Sequence, residues 1–170
     1  MTLHDCWPLT GHCFHFDSLG CERWQTCCYD CPLHGKYPVS MGPDNSRFNF
    51  CRKKKIFTSV GRMHIVSVSR FIDAAVSHSY LKDYPRSVIY NGVDINIFKP
   101  IESNLRAKHN IQSDRIVVLG VSSGWSNAKG LSEMIRLSED RRFKVILIGT
   151  QNGIVEKCQD KFEYLIRAIL

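Results

Sequence analysis

Hydrophobic positions after residue 45 follow two alternating patterns, one typical of strands and one typical of helices. Short apolar runs predict buried strands at residues 62–68, 87–90, 115–121 and 143–149. Apolar side chains at helical spacing predict helices at residues 45–60, 70–81, 101–109 and 129–138, and a weaker helical pattern covers 153–170. Because strands and helices alternate, we expect parallel βαβ units and an α/β fold.

The segment from Asn91 to Pro100 is the best candidate for a linker, since it opens with the turn signal Asn-Gly and ends with a proline. We therefore expect two sheets in two domains, the first over residues 1–97 and the second over residues 98–170. The first domain also contains an irregular, cysteine-rich loop at residues 6–34.

Composition and charge are those of an ordinary globular chain. Of 170 residues, 44% are hydrophobic and 23% are charged, which excludes a disordered or collagen-like protein. No apolar run approaches the roughly 18 residues of a membrane span, so we expect no transmembrane segment. The first residues have neither the basic nor the apolar region of a signal peptide, and we expect a cytoplasmic protein with reduced thiols.

Six of the eight cysteines lie within the first 31 residues, and this clustering favours a metal site over disulfides. Cys28 and Cys31 form a C-x-x-C pair whose sulfurs can face one ion, and Cys13 and Cys21 precede it. Four thiolates could complete a tetrahedral zinc shell, which would be structural because no position stays open for a substrate. The alternative is that these cysteines are ordinary small buried residues. Substitute ligands are Cys6, Cys27, His12, His15 and His34.

A loop at residues 121–130 could bind a ligand, because parallel sheets bind ligands where strands run into helix N-termini. It contains Ser123, Gly124, Lys129 and Gly130, and small residues beside a lysine could hold a phosphate. The loop matches neither G-x-G-x-x-G nor the P-loop pattern, so the alternative is an ordinary turn with a solvated lysine.

Two further segments carry polar groups suited to binding. His4 and Asp5 could bind hydroxyl groups or move protons, and the alternative is a capping pair at a strand end. The basic run from Arg52 to Lys55 lies on the helix predicted at 45–60 and could attract anionic lipid or nucleic acid. A solvated helix face is the usual meaning of such a run.

Motifs near the start, in the middle and near residue 125 point to a known family. They are Thr2-Leu3-His4-Asp5-Cys6-Trp7-Pro8-Leu9-Thr10-Gly11-His12-Cys13, Gly20-Cys21, Trp24, Cys28, Cys31-Pro32, Lys54-Lys55-Ile56-Phe57, Tyr90-Asn91-Gly92-Val93-Asp94 with Phe98 and Pro100, and Gly120-Val121-Ser122 through Trp125 to Lys129-Gly130. With these motifs the chain resembles the glycosyltransferases of sequence family 4, which have the GT-B fold. It is most similar to bacterial polysaccharide-building members that carry a cysteine-rich loop.

The resemblance implies parts of two Rossmann-like domains of the GT-B type, with the acceptor mostly on the first and a nucleotide-diphosphate sugar on the second. It implies that His4, beside Asp5, contacts the transferred sugar and that Lys129 neutralises the donor diphosphate. Transfer would retain anomeric configuration and need no divalent metal. A zinc ion would then be a scaffold ion, and the cysteines that match the family's loop are Cys13, Cys21, Cys28 and Cys31.

The chain also departs from the family. Where these proteins have Glu-Arg-Lys-Gly, this sequence has Asn127-Ala128-Lys129-Gly130, so the arginine that accompanies the lysine is absent. Two complete domains need about 300 residues, and we therefore expect these 170 residues to be a middle segment of such a protein.

We therefore expect a glycosyltransferase fragment that is inactive or nearly so by itself. The intact relative would transfer a sugar from a nucleotide-diphosphate donor to a glycan or lipid-linked acceptor in polysaccharide biosynthesis. The net charge of +7 fits anionic donors and peripheral contact with an anionic inner membrane. Alternatives are a zinc-stabilised, basic nucleic-acid-binding module or an inactive remnant.

Overall fold

The structure is a computed structural model that describes residues 1–36, 38–149 and 164–166, the last three by their backbone. The chain divides into two compact units, Met1–Phe98 and Lys99–Leu170. In each unit the described strands form a parallel sheet and helices lie between strands along the chain, so the predicted α/β class is confirmed. None of the described helices is long and apolar enough to cross a membrane.

Unit 1, Met1–Phe98, contains a parallel sheet with the strand order β1-β2-β3. Its strands and helices are β1 (Thr2–Leu3), α1 (Ser46–Thr58), β2 (Ile65–Ser67), α2 (Arg70–Ser77) and β3 (Arg86–Val88). In the first strand pair, Thr2 lies opposite Val66. The long connection from β1 to α1 contains short 3-10 turns at Trp7–Leu9, Asp17–Leu19 and Arg23–Gln25.

The cysteine-rich loop is part of the hydrophobic core of unit 1. Leu3 and Ile65 of the sheet and Phe50 of α1 are almost completely buried. The same core cluster contains loop residues, namely Cys6, Leu9, Cys13, Phe16, Trp24, Cys28 and Leu33. Because so much of the loop is buried with the sheet, it contributes to the stability of the unit as a helix layer would.

Helix α2 is shorter than the sequence predicts. It begins after Ser69, whose hydroxyl accepts a hydrogen bond from the backbone N–H of Ile72 at 3.3 Å. The pattern at 70–81 predicts four more residues, but the helix ends at Ser77. The hydroxyls of Ser77 and Ser79 donate to backbone carbonyls one turn earlier, at 2.7 and 2.9 Å, and such bonds compete with helix continuation.

Unit 2, Lys99–Leu170, has a parallel sheet with the strand order β4-β5-β6. Its described elements are α3 (Leu105–Lys108), β4 (Ile116–Val121), a 3-10 turn at Asn127–Lys129, α4 (Leu131–Ser138), β5 (Phe143–Ile148) and β6 (Tyr164–Ile166). Trp125, Val145 and Leu147 are its buried hydrophobic residues within the described part of the chain. Half-buried side chains of α4 pack against them.

Three predictions for unit 2 need correction. The helix expected at 101–109 is reduced to α3, which buries no residue and therefore gains no packing energy to extend it. The helix expected at 129–138 begins only at Leu131, because Gly130 takes a left-handed φ of +77°. Within the weak helical pattern at 153–170, the backbone at Tyr164–Ile166 is a strand paired with β5, and the other residues of that pattern lie outside the described chain.

Candidate functional site

The two predicted residues at the end of β1 have different environments. His4 is exposed and follows the strand directly, at the carboxyl edge of the sheet of unit 1. Asp5 accepts a hydrogen bond from the backbone N–H of Trp7 at 2.8 Å, so its carboxylate caps the turn at Trp7–Leu9. His4 therefore has the exposure a ligand contact needs, whereas Asp5 has a structural partner.

Lys53 fastens this turn to α1. Its ammonium group donates to the carbonyl oxygens of Trp7 at 2.8 Å and Thr10 at 2.9 Å. The nitrogen also lies 3.4 Å from the centroid of the Trp7 ring, within the range of a cation–π contact. Burial lowers the pKa of Lys53 to about 8, and the nearby Cys28, Cys13 and Asp5 oppose this shift.

The expectation of one solvated basic face at 52–55 is therefore wrong for Lys53. Arg52, Lys54 and Lys55 are exposed, but Lys53 lies on the side of α1 that carries the buried Phe50 and the half-buried Phe57. Residues 50, 53 and 57 share a helix face by their spacing. The helical spacing of Lys53 from Phe50 is the sequence feature that indicates its burial. The run of four basic residues at 52–55 suggests a solvated face instead.

We expect Lys53→Met to destabilise unit 1 by about 1–3 kcal/mol, because it leaves two carbonyls without their charged donor. The measurement is the urea midpoint of the full chain. Lys54→Met is the matched control, since Lys54 is exposed and its loss should cost less than about 0.5 kcal/mol. Equal midpoints for the two variants would show that Lys53 contributes nothing to the attachment of the turn.

Beside this lysine, a cavity of about 410 Å³ opens between α1 and the loop. Trp7, Ile56 and Phe57 give it apolar walls, and Arg52 and Lys53 add positive charge. A cavity of this size with apolar walls and a few cations suits a ligand that has both an apolar part and an anionic group.

The four cysteines predicted as zinc ligands line a single small cavity. Cys13, Cys21, Cys28 and Cys31 surround a volume of about 20 Å³, which His12 and Arg23 also line. All four are free thiols. Within the described residues, however, no three His, Cys, Asp or Glu side chains are close enough together to hold a metal ion.

Hydrogen bonds and burial set the charge state of these thiols. Cys28 Sγ accepts a hydrogen bond from the backbone N–H of Gly11 at 3.2 Å. Burial, opposed by that bond, raises the pKa of Cys28 to about 12, and burial also raises the pKa of Cys13 and Cys31. The neighbouring thiols of the cluster raise these pKa values further, so without a cation Cys13, Cys28 and Cys31 stay protonated at neutral pH.

The substitute ligands named from the sequence lie in different places. The rings of His12 and His34 are 5.7 Å apart, and the buried Nε2 atom of each has no hydrogen-bond partner in the described chain. His15 is exposed. Cys6 is buried in the core without lining the cavity, and the Cys27 thiol donates to the carbonyl of Cys28 at 3.5 Å.

In unit 2, the predicted phosphate loop lies at the carboxyl ends of β4 and β5. The loop folds around the Ser122 hydroxyl, which donates to the Gly124 carbonyl at 2.7 Å and accepts from the Gly124 N–H at 3.2 Å. The exposed Lys129 donates to the same hydroxyl at 3.2 Å. Ser123, Gly124, Lys129 and Gly130 thus belong to one loop, and Ser122, which was not predicted, organises it.

Trp125 anchors this loop to the sheet. Its indole N–H donates to the carbonyl of Ile148 at 3.2 Å, and its ring covers Gly120, where a Cβ atom would lie 2.4 Å from Trp125 Cη2. The backbone N–H of Ser122 also donates to Ile148, at 3.1 Å. The loop is therefore held by buried contacts, which limit the movement of Lys129 and its neighbours.

Comparison with known proteins gives partial support for one family. No family model matches the chain. A stretch of 96 residues, 55% of the chain, is 32% identical to a protein of Escherichia coli (strain K12) described as a putative colanic acid biosynthesis glycosyl transferase, WcaC. The stretch covers 23% of that protein, so this chain spans about a quarter of the length of the relative it matches. The similarity supports a glycosyltransferase family.

Proposed function

We propose that this chain is part of a glycosyltransferase of sequence family 4 with the GT-B fold. The protein transfers a sugar from a nucleotide-diphosphate donor to a glycan or lipid-linked acceptor in polysaccharide biosynthesis, with retention of configuration. The partial similarity to WcaC supports the transferase class. The two parallel α/β units support the fold, since each has candidate residues at the carboxyl edge of its sheet, where such sheets bind ligands.

The observation that carries the proposal is the loop at 122–130. Lys129 is exposed, is tied to Ser122 at 3.2 Å and lies just before α4. A cation at this position would stabilise the negative charge that develops on the departing diphosphate, and backbone N–H groups of the loop could bind its oxygens. Ala128 stands where an arginine is usual in the family, so the donor should bind weakly to this chain.

Lys129→Met should weaken the binding of uridine diphosphate about tenfold, because a charged contact to phosphate is lost. Calorimetric titration of the full chain with uridine diphosphate measures this Kd. Lys108→Met is the matched control, since Lys108 is another exposed lysine of unit 2 and should leave the Kd unchanged. An unchanged Kd for Lys129→Met, or no binding by the natural chain, would count against the donor site.

The acceptor side of the proposal rests on unit 1. His4 is exposed at the carboxyl edge of its sheet and would contact the transferred sugar, while Asp5 would hold the adjacent turn.

One face of helix α1 carries exposed apolar and basic side chains. By their spacing, the residues that share this face are Phe48, Arg52, Lys55 and Ile56. Apolar and basic side chains on one face support peripheral contact with anionic lipid at the cytoplasmic side of a membrane.

The competing function, a nucleic-acid-binding module, has less support. It depends on the basic run at 52–55, and Lys53 is already engaged by the carbonyls of Trp7 and Thr10. We expect salt-dependent binding to anionic lipid vesicles. We expect no binding to RNA that carries the same negative charge as the vesicles.

A further inference from the structure

We propose that Cys13, Cys21, Cys28 and Cys31 bind one structural zinc ion inside the core of unit 1. This site is independent of sugar transfer. Its occupant is a divalent cation that favours sulfur ligands in a closed tetrahedral shell, a description that zinc fits best.

The first argument is that, of the seven cysteines in the described chain, these four line the same cavity. All four line a cavity of about 20 Å³, which is enough room for a single ion. Cys6, Cys27 and Cys51 do not line it, although Cys27 is the direct neighbour of Cys28 in sequence.

The second argument is the backbone conformation that directs the sulfurs. Gly20 and Asp30 have left-handed φ angles of +58° and +43°, and they immediately precede Cys21 and Cys31. A left-handed residue turns the chain sharply, which allows successive ligands to face one point. Asp30 has a Cβ atom and so adopts this conformation at a cost, which a ligand bound by the turn would offset.

The third argument is a hydrogen bond to one of the sulfurs. The N–H of Gly11 donates to Cys28 Sγ at 3.2 Å. Backbone N–H groups of this kind stabilise thiolates and orient metal ligands. Cys28, the first member of the C-x-x-C pair, therefore already has a partner that a zinc-bound thiolate needs.

The fourth argument is charge balance. Binding of Zn²⁺ to four thiols forms four Zn–S bonds, breaks four S–H bonds and releases four protons to solvent, so the centre carries a net charge of −2. Two cations are positioned to compensate this charge. Arg23 lines the cavity, and Lys53 lies within electrostatic range of Cys13 and Cys28.

Zinc binding also requires the four sulfurs to move closer together. No three ligands within the described residues are at coordination distance, so the sulfurs must move closer to the ion as it binds. All four cysteines lie in irregular segments outside the helices, strands and 3-10 turns, so regular backbone hydrogen bonding does not fix their positions. We expect zinc to tighten the loop as it closes the shell.

Metal analysis of the full 170-residue chain, purified from a reducing host, tests the proposal. We expect about one zinc per chain in the natural protein and in the control Cys27→Ser, and at least a tenfold loss in Cys28→Ser/Cys31→Ser. The proposal is overturned if the natural chain lacks zinc even after it is refolded with the ion, or if the double variant keeps its zinc.

A second measurement decides the matter if the double variant fails to fold. Cobalt substituted into the natural chain should give the intense thiolate-to-metal absorption and visible bands of a tetrahedral, sulfur-rich site. Cys21→Ser should weaken the thiolate absorption, and His12→Ala should leave it unchanged. Absence of the thiolate absorption, or its loss in His12→Ala alone, would contradict the four-cysteine shell.

Discussion

Gly11→Ala should destabilise unit 1 by about 3 kcal/mol, because the new methyl group has no space. A Cβ atom at Gly11 would lie 2.1 Å from the carbonyl oxygen of Ser46 and 2.9 Å from the Cβ of Cys28. The Ser46 carbonyl belongs to the first turn of α1 and cannot rotate away as a flexible side chain could. Relief would have to separate the loop from the helix, and with it the hydrogen bond from Gly11 to Cys28.

Urea unfolding of the full chain measures this effect, with Gly61→Ala as the matched control. Gly61 belongs to the same unit, has an ordinary φ, and a Cβ built there meets no atom within 4 Å. We expect the control to be neutral or slightly stabilising, since alanine reduces the entropy of the unfolded chain. Similar midpoints for both variants would mean that the loop and α1 are not in close contact in solution.

Trp125→Ala should remove most of the stability of unit 2, at a cost of about 3–5 kcal/mol. Trp125 shares the described core with Val145 and Leu147 and fills the space above Gly120. Its loss leaves a cavity against the sheet and deprives the Ile148 carbonyl of the indole donor. Because the loop at 122–130 is anchored by this side chain, we also expect binding of uridine diphosphate to disappear.

Amide hydrogen exchange in β4 and β5 is the appropriate measurement, since it reports on these strands directly. Protection of Val118 and Ile146 should fall by two or more orders of magnitude, according to the expected loss of free energy. Trp125→Phe is the control. It keeps much of the buried ring but lacks the N–H donor, so it should lose only part of the protection. Unchanged exchange in Trp125→Ala would show that the sheet does not depend on this residue.

The sequence predicted the parallel α/β class because residues 45–149 keep hydrophobic periodicity and strand-sized apolar runs. Boundaries depended on local bonds that periodicity does not contain, such as the serine hydroxyls that end α2 and the left-handed Gly130 before α4. At Tyr164–Ile166, helical spacing was misleading. The backbone there is a strand beside the apolar β5, and tyrosine and isoleucine suit such a position.

Candidate residues could be named from the sequence where residue type implies chemistry, and their roles stay predictions. The structure brings the clustered cysteines to one cavity and the lysine and small residues to one loop. Residues that act through position were not predictable. Lys53 was read as solvated because charged neighbours surround it, and Ser122 was given no role of its own although it belongs to the loop and to the motif Gly120-Val121-Ser122. Their roles depend on contacts with Trp7 and Gly124 that only the folded chain creates.

The pairing of Thr2 with Val66 has a consequence for how the chain folds. To pair with β2, β1 must be brought back across the chain segment that contains the cysteine loop and all of α1. Closing a chain loop of this length has an entropic cost that slows folding. If the cysteine loop is already ordered, a shorter flexible segment has to be closed. We therefore expect β1 to be the last strand of its sheet to dock, and the loop to set the rate at which it does so.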